Sequence, residues 1–139
     1  MTSRGIRNNN PLNIRRSATP WRHKKNPSSD PAFEQFDNIF WGIRAAFAIL
    51  RTYLGKKYRL RTVEQVINRW APPTENKTSL YVAYVLKRSY ILPNETLSMA
   101  NKNQVCRLLW AMAQFECGEE VRFSYFERAY NMLINNIRD

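Results

Sequence analysis

The stretch Asn103–Gly118, NQVCRLLWAMAQFECG, constrains this chain more than any other. Val105, Leu108, Leu109 and Met112 recur at the three- and four-residue spacing of a helix with one buried stripe. Continuing the stripe leads to Phe115 and Glu116, and Gly118 then supplies a stop. Glu116 lies one turn after Met112, so the spacing predicts that it shares the inner face. A glutamate at the inner end of an apolar face should hold its proton above the ordinary value of about 4.3, which suits a general acid. The alternative is a Glu116 that only tips the helix and points outward from its last turn.

A length of 139 residues predicts one domain, 1–139, with one core. Aromatics are plentiful (Trp 4, Tyr 7, Phe 7) and Gly is scarce at 4, which favours a mainly α chain over a barrel or a doubly wound sheet. No stretch approaches a membrane span and no apolar signal segment opens the chain, so export is expected to depend on host lysis or packaging in a particle. Cys106 and Cys117 are too few for a disulfide framework. On one intact helix they stand about 16 Å apart and cannot bridge. The Asn76-Lys77-Thr78 sequon carries little weight without secretion.

Lys and Arg outnumber Asp and Glu by 22 to 11, a net charge of +11. Such a surplus implies a polyanionic partner or surroundings, either nucleic acid or the acidic polymers of a bacterial wall, unless the surface is simply a solvated basic one. The charge is spread along the chain and does not choose among these.

Residues 1–37 read as an Asn-rich loop followed by a basic excursion. Asn8, Asn9, Asn10 and Asn13, broken by Pro11, predict turns, with Ile6, Leu12, Ile14 and Trp21 to pin them. Clustered amides can bind sugar hydroxyls, or they can form a capping and turn network with no ligand. Trp21 to Asp30, punctuated by Pro20, Pro27 and Pro31, reads as a hairpin or surface lobe. His23 is the one histidine, flanked by Arg22, Lys24 and Lys25. No ligand set at metal spacing accompanies it, so neither a metal nor a cofactor is expected.

Phe33, Phe36 and Ile39 fit an extended segment or a helix lead-in. Five or six helices follow from periodicity. The first, about Asn38–Leu54, turns Ile43, Ala46, Phe47, Leu50 and Leu54 inward, with Gly42 marking close packing or the true helix start. Thr62 and Gln65 form a capping box for a short helix through Trp70, stopped by Pro72 and Pro73. The next runs from about Lys77 to Tyr90 on Leu80, Tyr81, Tyr84 and Val85. Asn101 with Gln104 caps the long helix. Ser124 with Glu127 caps the last, which carries Phe126, Tyr130, Leu133, Ile134 and Ile137 inward.

Four stretches together carry a family resemblance: RGIRNNNPLNIRR at Arg4–Arg16, the Phe33–Phe36 pair, GIRAAFAIL at Gly42–Leu50, and NRWAPPTENKTSLY at Asn68–Tyr81. The chain resembles small phage- and prophage-encoded virion-associated proteins with a lysozyme-like fold. That resemblance covers almost the whole chain. Relatives tend to have PGNI where this chain has Pro11-Leu12-Asn13-Ile14, and a glutamate, a small polar residue and glycine where it has Glu116-Cys117-Gly118. A looser resemblance concerns mechanism. Lytic transglycosylases and wall glucosaminidases carry a catalytic glutamate near a helix end, and the glucosaminidases have an Asn-Asn-Leu-Phe-Gly-Ile stretch after it. Asn9 to Ile14 is similar to that stretch but precedes Glu116, so a circular permutation would bring the two together.

These resemblances imply cleavage of a peptidoglycan strand with Glu116 as general acid and base. One carboxyl suffices where the sugar supplies the nucleophile, whereas hydrolysis wants a second, for which Glu34 and Asp37 are the candidates. Glu75 stands behind them, because it resembles a helix-entry residue after two prolines. Asn9, Asn10 and Asn13 would bind sugar, and Trp21, Trp70 and Tyr81 would offer flat surfaces to sugar rings or simply pack. The expected partners are peptidoglycan or another acidic wall polymer and other virion proteins, with the protein in a virion or the host cytoplasm until release. The alternatives are a non-catalytic virion or wall-binding protein and, behind it, a nucleic-acid binder resting on Arg4, Arg7, Arg15 and Arg16.

Overall fold

The computed structural model describes residues 2–71 and 78–135. Among these residues six helices follow in order: α1 Arg4–Arg7, α2 Ile39–Leu54, α3 Val63–Trp70, α4 Thr78–Ser89, α5 Lys102–Cys117 and α6 Phe123–Asn135. Among the described residues there is no sheet, only isolated antiparallel bridges pairing Arg15 with Phe33 and Lys24 with Phe36. One hydrophobic cluster runs through all of α2 to α6 and takes in Leu12, Ile14 and Phe36 from the N-terminal segment. The result is a compact, mainly α domain. No described helix is long and apolar enough to cross a membrane.

α5 is the central element, because α1, α4 and α6 all pack on it. The one-stripe expectation understates its burial. Cys106, Ala111 and Ala113 are buried together with Val105, Leu108, Leu109 and Met112, so most of the helix circumference is covered. Small side chains at Ala111 and Ala113 let neighbours approach on faces that a stripe rule assigns to solvent. Asn101 caps its start by accepting from the Gln104 backbone N–H, and Gly118 ends it at φ 75°. That left-handed conformation favours glycine. The two cysteines are free and buried, one near each end of α5.

The other helices agree with the sequence expectation at some edges and depart from it at others. α3 has the Thr62–Gln65 capping box. In α4, Tyr81 and Val85 face inward but Leu80 is 60% exposed. α6 begins at Phe123, so Ser124 sits inside its first turn instead of capping it. Ile134 is exposed, and Ala129 takes an inward place instead. Leu54, expected inward on α2, is only half-buried. Pro72, Pro73, Glu75, the Asn76-Lys77-Thr78 sequon as a whole, and Ile137 lie at least partly outside the described residues.

The N-terminal segment is held by polar groups. Arg4–Arg7 forms one helical turn where a loop was expected, because the Ser3 side chain accepts from the Ile6 N–H. Asn9 and Asn13 then adopt φ of 54° and 53°, a region asparagine tolerates better than most residues. Asn10 is fully buried: its amide donates to the Ile14 and Glu34 carbonyls, and its oxygen accepts from the Ile14 N–H, each at 2.9 Å. Asp30 anchors the excursion. It takes two 2.7 Å bonds from the Arg4 guanidinium and one of 3.0 Å from the Asn8 amide, with the Ala32 and Phe33 N–H groups completing the set. Gly42 allows this segment to dock on α2, since a Cβ there would lie 1.9 Å from the Asn9 carbonyl oxygen.

Candidate functional site

The segment does not lie flush on the helices. Between them is a cleft of about 930 Å³. One wall is the N-terminal segment, with Asn13, Arg15, Trp21 and Phe33. The others come from α2 and the turn after it (Tyr53, Tyr58), the end of α3 (Arg69, Trp70), the start of α4 (Tyr81) and the end of α5 (Phe115, Glu116). Helix ends converge here because α3, α4 and α5 each begin or finish at this side of the core.

Glu116 stands half-buried in the last turn of α5. The Asn13 amide donates to its carboxylate at 3.2 Å and to its backbone carbonyl at 3.1 Å. One asparagine side chain therefore satisfies an orphan carbonyl of the helix end and positions the carboxylate above it. The Ser3 N–H adds a second tie to this end by donating to Glu119 at 2.6 Å. The Asn-rich loop and the end of α5 are thus in direct contact despite a separation of 103 residues.

Of the two roles expected for Tyr81, a flat surface for sugar or simple packing, it takes the second. It is 2% exposed, so its ring offers no face to a ligand. Phe115 covers it instead, stacked at 4.2 Å between centroids and 19° between planes. The outer ring is therefore Phe115, at 36% exposure, a residue whose spacing had assigned it to the core. The Tyr81 hydroxyl has no hydrogen-bond partner of good geometry among the described residues. Burial, and then the Glu116 charge beside it, push its pKa well above the ordinary phenol value, so it remains a proton-bearing donor next to the carboxylate.

Trp70 and Trp21 both line the cleft. Trp70 is fixed at two edges: its indole N–H donates to the Leu12 carbonyl at 3.2 Å, and its ring meets Tyr53 edge-on at 5.8 Å. Two guanidiniums also line the space, Arg15 over the Phe33 ring and Arg69 over the Tyr58 ring. From sequence Phe115 reads as part of the core stripe and Arg15 only as one of a basic run for nucleic acid, while nothing local singles out Tyr53, Tyr58 or Arg69.

The remaining candidates lie elsewhere. Asn10 is interior, and the Asn9 amide donates to the Phe36 carbonyl, so both build the loop. Glu34 is 2% exposed and paired with Lys24 at 3.0 Å, with the Ser17 N–H as a further donor. Asp37 is exposed beside His23, whose ring stacks on Trp41. Neither of these carboxylates lines the cleft, and Glu75 lies outside the described residues. Among the described residues of its lining, Glu116 is the sole carboxylate. No three His, Cys, Asp or Glu side chains among the described residues come together as a metal site.

No family model matches this chain. It is similar to Protein P5 of Pseudoalteromonas phage PM2, 42% identical over 99 residues, which is 69% of this chain and 61% of that protein. The chain thus spans about three-fifths of the length of that curated relative. An identity of this size over 99 residues relates the chain by descent to a phage-encoded protein.

Proposed function

We propose that this phage-related protein acts in a virion, at the bacterial cell wall, by holding a glycan strand in its cleft. The observation that carries this reading is the cleft lining itself. Trp21, Trp70 and Phe115 present aromatic surface, and the Asn13–Glu116 pair presents donors and acceptors at the floor. Flat apolar rings with a few oriented polar groups suit pyranose rings, which have apolar faces and hydroxyl edges. The net charge of +11 favours approach to an acidic wall polymer. A nucleic-acid strand running the length of this cleft fits less well, because Arg15 and Arg69 would meet its phosphates but the Glu116 carboxylate would repel them.

Strand cleavage is the second reading, favoured by where Glu116 sits. Protonated Glu116 would donate to the glycosidic oxygen as its bond to the anomeric carbon breaks, and the carboxylate would then accept the proton of the group that bonds that carbon, either a hydroxyl of the same retained sugar or water. With no second carboxylate among the described lining residues, the route that uses the sugar's own nucleophile fits better than two-carboxylate hydrolysis. A lysozyme-like, circularly permuted fold belongs to the same proposal. Its support is the contact of Asn13, from a stretch that precedes the glutamate in sequence, with Glu116 in space.

Both readings meet one experiment. Wild-type and Glu116→Gln proteins are incubated with purified peptidoglycan, and co-sedimentation and product masses are recorded. Binding by both proteins with no release supports the holding role. Release by wild type, lost in the variant, supports cleavage, and anhydro sugars among the products identify the intramolecular route. Neither binding nor release would sink both readings.

A further inference from the structure

The cleft has a corner that its glutamate does not explain. The Arg69 guanidinium lies 4.0 Å from the Tyr58 ring centroid, and Lys57 approaches the same ring at 5.2 Å. Arg69 also leans on Tyr53, 5.4 Å from its ring centre. Two cations are thus gathered on one aromatic, although like charges repel. Among the described residues no carboxylate pairs with either. Arg69, Tyr53 and Tyr58 all line the cleft, and Arg69 is exposed there. Trp70 links this corner to the glutamate end: it touches Tyr53 on one side and bonds the Leu12 carbonyl, next to Asn13, on the other.

We infer that Arg69, seated on Tyr58 and Tyr53, is a subsite for a carboxylate carried by the sugar chain, so that the cleft selects acidic over neutral saccharides. This rests on the glycan reading of the cleft and names its substrate class. A guanidinium presents paired N–H donors that match a carboxylate in two parallel bonds. The tyrosine rings hold the guanidinium plane in place, which lowers the ordering cost of making those bonds. An incoming carboxylate would also relieve the repulsion between Arg69 and Lys57.

The test compares three probes by calorimetric titration of the full chain. They are a disaccharide of N-acetylglucosamine and N-acetylmuramic acid with its free lactyl carboxylate, the same disaccharide as its amide, and neutral chitobiose. Wild type should bind the free acid about tenfold more tightly than the amide, equivalent to about 1.4 kcal/mol. Arg69→Gln should erase that difference while binding amide and chitobiose within about twofold of wild type, and Arg69→Lys should retain part of it, because charge survives and the planar fork does not. Urea unfolding of each variant confirms that it is folded. Equal affinity of wild type for acid and amide, or a preference surviving in Arg69→Gln, would overturn the subsite while leaving the glycan reading intact. No binding of any probe would overturn both.

Discussion

Residues 2–37 and the bundle α2–α6 are ordered by different physics. The bundle is ordered by area: Leu108, Leu109, Met112, Phe47 and Phe126 are fully buried, and no one of them is bonded to a unique partner. The N-terminal segment is ordered by address. Asn8, Asn10, Asp30 and Glu34 are buried polar groups, and each is satisfied by specific atoms. Apolar burial is non-directional and spreads a defect over many neighbours, whereas a buried polar network fails at one missing donor. The cleft follows the seam between the two, taking Asn13 from the network and Glu116 from the bundle. A site on such a seam keeps its geometry only while both sides stay closed.

Leu109→Ala probes the bundle and should have the largest effect. It should cost roughly 3–5 kcal/mol in urea unfolding, with both regions melting together. A loss under about 1 kcal/mol would mean that α5 is not central. Gly42→Ala attacks the join, where the new Cβ meets backbone and not a flexible side-chain tip. It should cost about 3 kcal/mol, and hydrogen exchange at the Glu34 and Phe36 amides should rise before that of α5. Uniform exchange across both regions would show that the segment does not open separately.

Asp30→Asn tests the network and should cost about 2 kcal/mol, because the amide replaces an acceptor-only carboxylate that is held by a guanidinium and several N–H groups. The Arg4 bond first, with the Asn8 and backbone bonds outweighing burial, holds the Asp30 carboxyl well below the usual carboxylate range. Its contribution is therefore present above the unfolded value of about 3.9 and is lost as pH falls further toward the folded value. The stability gap between wild type and Asp30→Asn should be constant near neutrality and shrink below about pH 4. A gap that stays constant down to pH 2 would remove Asp30 as the anchor. Glu116→Gln should be the mildest, within about 1 kcal/mol, since the Asn13 amide can still donate to the glutamine oxygen. A loss above about 2 kcal/mol would make Glu116 a structural tie of the seam instead of a group held ready for a ligand.

Periodicity and caps determined much from sequence alone. Leu109 and Met112 on α5, the Thr62–Gln65 box and the Asn101 cap are relations between residues three or four apart, and helical geometry converts that spacing directly into contact. The ordered character of the Asn-rich loop was legible for a similar reason, since asparagine bonds its own neighbourhood, as Asn10 does to Ile14. Tertiary structure decided the rest. Asp30 becomes an anchor only because Arg4 and Asn8, 26 and 22 residues earlier, arrive at it, and no local pattern marks that meeting. Glu34 had the look of a second catalytic carboxylate until the fold gave it Lys24 and buried it. Tyr81 lost its ring face to Phe115, and the Arg69–Tyr58 corner formed, because helix ends remote in sequence share one cleft. Local spacing specifies which face of a helix is apolar, but which polar or aromatic group meets which depends on how the helices and the segment pack.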